Sequence, residues 1–141
     1  MKKRASAVWM GSVKQGNGLI SSESGVLQDA PYGFQARFEN GRGTNPEELL
    51  GAAHAGCFSM ALAAQLGEAG LTPDTIETSA TVTLDKSADG FTITEVHLDV
   101  SAKVPGASPE AFETAANAAK TGCPVSKLFN ATITMDARLL T

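Results

Sequence analysis

The sequence predicts an α+β fold, with mostly antiparallel strands wrapped around one long buried helix, and three observations carry that expectation. A stretch of small and apolar residues starts at Pro46 and meets no breaker until Gly70. The segments before and after it alternate apolar with polar residues or are rich in Thr and Val, as strands are. Only short Gly-, Asn- and Pro-containing connections separate these elements, so the 141 residues (1–141) are expected to form a single domain.

Taken in order, residues 4–10 and 18–22 are expected as two strands joined through Gly16, Asn17 and Gly18. Gly25 to Pro31 is read as a loop. Phe34-Gln35-Ala36-Arg37-Phe38 alternates and predicts a third strand with Gln35 and Arg37 on one face. Asn40-Gly41-Arg42-Gly43 breaks it. Asn45 is an N-cap, because its side-chain oxygen can accept from the free N–H groups of a first turn, and Pro46 then falls where a missing N–H is harmless. Glu47 and Glu48 complement the positive end of the helix dipole, and Glu48 has the spacing of a capping-box partner for Asn45. With Gly70 and Pro73 at the far end the helix spans about 23 residues, about 34 Å.

Gly51, Ala52, Ala53, Ala55, Gly56, Ala61, Ala63 and Ala64 leave small residues on every side of this helix. A helix apolar all round is a buried one. Each interior glycine costs about 1 kcal/mol relative to alanine, which close backbone approach by a neighbour would offset. The remaining elements can hardly cover such a helix, so a second subunit, making a homodimer, is expected.

Downstream, strands are expected at 76–86 and 91–103, turning at Asp89-Gly90. Ser108-Pro109-Glu110 opens a helix that packs Phe112, Ala115, Ala116 and Ala119 on one face and ends at Gly122. Pro124 starts a short further helix. Ile133, Met135, Ala137 and Leu139 alternate in a last strand.

Bulk properties exclude several classes. With 43% hydrophobic and 18% charged residues the chain is not disordered, and a net charge of −4 argues against nucleic acid or an anionic membrane surface as partner. Lys2-Lys3-Arg4 is followed by an apolar run too short for a signal peptide, and no run is read as a membrane span. A soluble, cytoplasmic protein is expected.

Cys57 and Cys123 are the only thiols. One reading takes both as small buried hydrophobes. Cys123 lies at a helix N-terminus, where the dipole favours a thiolate, with Lys120 and Lys127 close in sequence. Cys57, in mid-helix, needs a cation from elsewhere, and Arg37 is the candidate. His54 precedes Cys57 by three residues and shares its face; a packed, hydrogen-bonded core histidine is the reading preferred over a base. His97 is read as a surface residue. A zinc site from the two cysteines and two histidines has suitable ligands but no supporting spacing. Phe34, Phe38, Phe58, Met60 and Phe129 are core residues or the wall of an apolar pocket.

Arg37-Phe38-Glu39, the run Gly43-Thr44-Asn45-Pro46-Glu47-Glu48-Leu49, the run Ala52 to Ala61 around Cys57, and Gly122-Cys123-Pro124-Val125-Ser126 together resemble the osmotically inducible protein C (OsmC) family. Its relatives include the organic hydroperoxide resistance (Ohr) proteins. Tyr32-Gly33-Phe34 ahead of Arg37 leans toward the OsmC branch. The resemblance implies two intertwined subunits around paired central helices and a thiol peroxidase acting on organic hydroperoxides and, less well, hydrogen peroxide. It implies that Cys57 is the peroxidatic cysteine, that Cys123 resolves it, and that Arg37 and Glu47 activate the thiolate and position the peroxide. A dithiol of lipoyl type is the implied reductant, and neither metal nor flavin is needed. Glu47 and Cys57 lie ten residues apart on one helix, about 15 Å along its axis. Arg37 and Glu47 are therefore expected to serve Cys57 of the partner subunit. A thiol redox sensor and a ligand-binding protein with inert thiols are the alternatives, and thiol titration with a hydroperoxide separates them.

Overall fold

Backbone pairing in the computed structural model, which describes all of residues 1–141, yields two compact units, Met1–Leu49 and Leu50–Thr141. In the first, β1 (Ala5–Met10), β2 (Asn17–Ser22) and β3 (Ala30–Tyr32) form an antiparallel sheet in the order β1-β2-β3. The expected strand at 34–38 is instead a helix, α1 (Phe34–Phe38). Five residues satisfy both periods: Phe34 and Phe38 alternate with polar neighbours but also lie one helical turn apart, and their ring centroids are 4.9 Å from each other. Asn45 Nδ2 donates to the Ala36 carbonyl at 3.0 Å, so a free carbonyl of that short helix gains a partner. The third strand is supplied by Ala30–Tyr32, inside and just beyond the expected loop.

Helix α2 (Pro46–Glu68) starts as expected, with the Glu48 N–H donating to Asn45 Oδ1 at 2.8 Å. The Glu48 carboxylate accepts from Thr44 Oγ1 at 2.7 Å, so it braces the approach to the cap in place of the expected capping-box bond. The helix closes where Leu71 N–H donates back to the Leu66 carbonyl.

The second unit holds the hairpin β4 (Thr75–Ser87) and β5 (Gly90–Lys103), antiparallel, and β6 (Thr132–Leu140), which pairs parallel to β5. Helices α3 (Pro109–Gly122) and α4 (Pro124–Leu128) make the crossover that a parallel pair requires. Ser108 caps α3 by accepting from Ala111 N–H. Along β5, Val96, Leu98, Val100 and Ala102 are buried while the residues between them face outward. This inner face meets Phe58, Leu62 and Leu66 of α2 and Phe112, Ala115, Ala116 and Ala119 of α3 in one core.

Within the single chain α2 is buried along one stripe, Gly51, His54, Phe58, Leu62 and Leu66. Ala52, Ala53, Gly56, Ala64 and Gly67 on its other side are exposed, and Met60 is 78% exposed. Gly51 answers the expectation of close approach: a Cβ there would meet the Ala80 carbonyl oxygen at 3.2 Å. At Gly56 a Cβ would meet nothing within 4 Å. One reading of the sequence needs correcting: α2 is long and apolar enough to cross a membrane, with a mean hydropathy of 1.4 over an 18-residue window. Alanine raises that mean, and the large residues of the buried stripe, Phe58, Leu62 and Leu66, pack into the core of the second unit.

Candidate active site

Two clusters of polar chemistry stand out, one in each unit. In the first, Arg37 and Glu47 form a bidentate pair. Arg37 Nε donates to both carboxylate oxygens, at 3.1 and 3.3 Å, and Nη2 donates to Oε1 at 2.8 Å. The short helix α1 presents the arginine, and the first turn of α2 presents the glutamate. The Glu47 side chain is 11% exposed and that of Arg37 39%, so the carboxylate is the fixed member and the guanidinium keeps free N–H groups at a surface. That surface is the wall of a cavity of about 400 Å³, lined otherwise by apolar and aromatic groups, among them Trp9, Tyr32, Phe34, Phe38 and Pro46. An apolar pocket with one oriented cation suits a ligand with a hydrophobic tail and a polar head.

The second cluster gathers both thiols. Cys57 on α2 is half-buried, Cys123 is fully buried, and neither is in a disulfide. Their side chains are within hydrogen-bonding reach of each other. Burial foremost pushes the Cys57 thiol above its ordinary pKa, and the neighbouring Cys123 adds to the rise; a hydrogen bond from the Val125 backbone opposes it. Cys123 is the N-cap of α4 and its sulfur accepts from Ser126 N–H at 3.4 Å. The start of α4 therefore serves both sulfurs, where the sequence reading had assigned it to Cys123 alone.

His54 is the core histidine that was expected. It is completely buried, its Nε2 lies 2.7 Å from Ser126 Oγ, and the Phe129 ring meets it edge-on at 5.3 Å. Burial lowers its pKa from the usual imidazole value. His97 lies apart on β5, with Nδ1 against Thr134 Oγ1 at 2.6 Å and Nε2 3.2 Å from Asp136, so it does not join the thiols in a metal site. Nowhere are three or more His, Cys, Asp or Glu side chains grouped to hold a metal ion. Of the five apolar residues singled out, Phe34 and Phe38 line the cavity, Phe58 is core, Phe129 packs on His54, and Met60 lies on the open face of α2.

Ser126 is the residue that sequence reasoning missed. Its signal was present, since the third residue after an N-cap lies back over it, and Cys123-Pro124-Val125-Ser126 has that spacing.

The profile of the family described as OsmC-like protein matches residues 39–138. The chain is 53% identical over 137 residues to Peroxiredoxin OsmC of Escherichia coli (strain K12), covering 97% of this chain and 96% of that protein. The chain belongs to the OsmC branch of the OsmC/Ohr family. A more distant relative is Organic hydroperoxide resistance protein OhrB of Bacillus subtilis (strain 168), 37% identical over 111 residues, 78% of this chain and 79% of that protein. The OsmC fold is also evident in the crystal structure of the OsmC-like protein from Mycoplasma pneumoniae. That structure is superposable with a TM-score of 0.77 over 100% of this chain and 99% of that one, at 15% identity.

Proposed function

We propose that this OsmC-family protein is a cysteine-based peroxidase that reduces organic hydroperoxides, and hydrogen peroxide, through a Cys57–Cys123 disulfide cycle. The observation that carries the reading is the meeting of the two thiols at the head of α4, one half-buried and one buried. The relatives named peroxiredoxin and organic hydroperoxide resistance protein support the same chemistry.

In the first step the Cys57 thiolate attacks the distal peroxide oxygen. The O–O bond breaks, Cys57 becomes a sulfenic acid, and the alkoxide leaves as the alcohol after taking up a proton. Arg37 stabilises the thiolate and the charge developing on the alkoxide, and Glu47 holds the guanidinium by its bidentate grip. The aromatic cavity beside Arg37 receives the apolar tail of the peroxide. In the second step Cys123 condenses with the sulfenic acid to a disulfide and water, which guards Cys57 from irreversible oxidation. A dithiol of lipoyl type then reduces the disulfide.

The working unit is a homodimer, with a second copy covering the open face of α2. Apart from Met60 that face is largely alanine and glycine, and such small residues let two helices approach closely. Arg37 and Glu47 of one chain act at Cys57 of the partner subunit. The family profile runs across the boundary between the two units, which supports residues 1–141 as one functional domain. The protein works in the cytoplasm, where thiols are held reduced.

Thiol titration tests the proposal. Before treatment two free thiols per chain are expected, and one equivalent of an alkyl hydroperoxide should remove both, with turnover on adding a dithiol. Retention of both thiols would contradict it.

A further inference from the structure

The peroxidase reading uses the two sulfurs and leaves two neighbouring side chains without a task. His54 and Ser126 are the only polar side chains buried between residues 50 and 141. The Cys123 thiol donates to Ser126 Oγ across 3.2 Å, and Ser126 Oγ lies 2.7 Å from His54 Nε2. A hydroxyl that accepts from the thiol still has its one hydrogen to give, so Nε2 is the acceptor and the ring hydrogen sits on Nδ1. Nδ1 is buried with no hydrogen-bond partner. An orphaned polar atom in a core is costly, and a side chain needed only for packing there would carry none.

We propose that Ser126 and His54 form a proton relay for the resolving thiol, which rests on the peroxidase reading. As Cys123 attacks the sulfenic sulfur of Cys57, the thiol proton passes to Ser126 Oγ while the Ser126 proton passes to His54 Nε2. The S–S bond forms as the S–O bond breaks. The departing hydroxide and the proton collected on His54 together account for the water released, and no further oxidant or reductant enters. Ser126 touches a reacting atom; His54 acts through it.

The surroundings suit this use. His54 meets Ser126 Oγ and the Phe129 ring, and Cys123 at the head of α4 is joined to it through Ser126. The inner faces of β5 and α3 in the same unit bury apolar residues, such as Val96, Leu98, Phe112 and Ala119. Burial keeps the imidazole neutral, hence able to accept a proton, at a pH where a free histidine would be half charged. Cys123 is fully buried with its S–H directed at Ser126 Oγ, so that hydroxyl is where its proton leaves when the sulfur attacks.

The experiment separates the two oxidation steps. Reduced protein is mixed with one equivalent of an alkyl hydroperoxide. Sulfenic acid formation is followed by dimedone trapping, and disulfide formation by loss of the second thiol. In Ser126→Ala and His54→Asn the ratio of the second rate to the first is expected to fall by about tenfold or more at pH 6.5. The deficit should shrink toward pH 9, where hydroxide from solution can take the proton in place of the relay. A ratio that matches wild type in both variants, or that falls equally at every pH, overturns the relay. Two thiols lost normally by wild type with a normal ratio in the variants sinks the relay alone. Wild type that loses no thiol removes the peroxidase reading and the relay with it. Should His54→Asn not fold, as judged by circular dichroism, Ser126→Ala decides, since it removes one oxygen atom only.

Discussion

Glu47 grips Arg37 through three hydrogen bonds, two of them to the same Nε, so the guanidinium is aimed rather than merely neutralised. Lysine cannot reproduce that fork, because its ammonium is a point charge on a flexible stem. Arg37→Lys is expected to lower kcat/KM for an alkyl hydroperoxide by about a hundredfold, the scale of losing one oriented donor to a developing oxyanion. Glu47→Gln leaves the arginine in place with a weaker hold and should lose about tenfold. Steady-state kinetics with a dithiol reductant measure both, and equal activity in Arg37→Lys would count against an oriented guanidinium.

The ionisation of Cys57 provides a second check. Burial and the adjacent Cys123 both raise its pKa, so at neutral pH those two influences favour the unreactive thiol. If Arg37 of one chain opposes them at Cys57 of the partner subunit, Arg37→Met must expose the raised value. The alkylation rate of Cys57 by iodoacetamide should then inflect above the ordinary thiol range in Arg37→Met and below it in wild type. In the Arg37→Met background, Cys123→Ala removes one of the two raising influences and should move the inflection down. Identical profiles for wild type and Arg37→Met would mean that the arginine does not act at this sulfur.

Most of the fold was legible because its signals are local. Asn45 before Pro46, Ser108 before Pro109 and the turn near Asp89-Gly90 each mark an element boundary through backbone chemistry that needs no distant partner. Phe34–Phe38 failed because five residues are too few for one period to win; the Phe34–Phe38 ring contact within the run and Asn45 outside it accompany the helix. Arg37 and Glu47 were both singled out from the sequence, and the structure pairs them. The local spacing could have placed Ser126 over Cys123, but its bond to His54, seventy-two residues away in sequence, is encoded in no local pattern.

The two interior glycines of α2 should answer differently to alanine. At Gly51 the new methyl group would press on the Ala80 carbonyl at 3.2 Å, and strain of about 1–3 kcal/mol then opposes a helix-propensity gain of about 1 kcal/mol. Since the obstacle is backbone paired within a sheet, net destabilisation is expected. At Gly56 the space is open within the chain, so only the propensity gain applies to the isolated subunit. Urea denaturation should show a lower midpoint for Gly51→Ala alone. Gly56→Leu should instead weaken assembly, read as a raised dimer dissociation constant in sedimentation equilibrium. A dimer unaffected by Gly56→Leu would place the interface elsewhere.

Replacing each sulfur in turn assigns their roles, because their burial makes the two positions chemically unequal. Cys57 is the sulfur that an incoming molecule can reach, while Cys123 is fully enclosed and bonded to Ser126. Cys57→Ser should therefore abolish hydroperoxide consumption, leaving Cys123 reduced. Cys123→Ser should still consume one equivalent rapidly, with no disulfide formed. Its Cys57 sulfenic acid has no resolving partner, so it should appear as a dimedone adduct and, with excess peroxide, advance to the sulfinic acid. Mass spectrometry of the intact chains distinguishes these products. Adduct on Cys123 in the Cys57→Ser variant would show the roles exchanged, which the enclosure of Cys123 argues against.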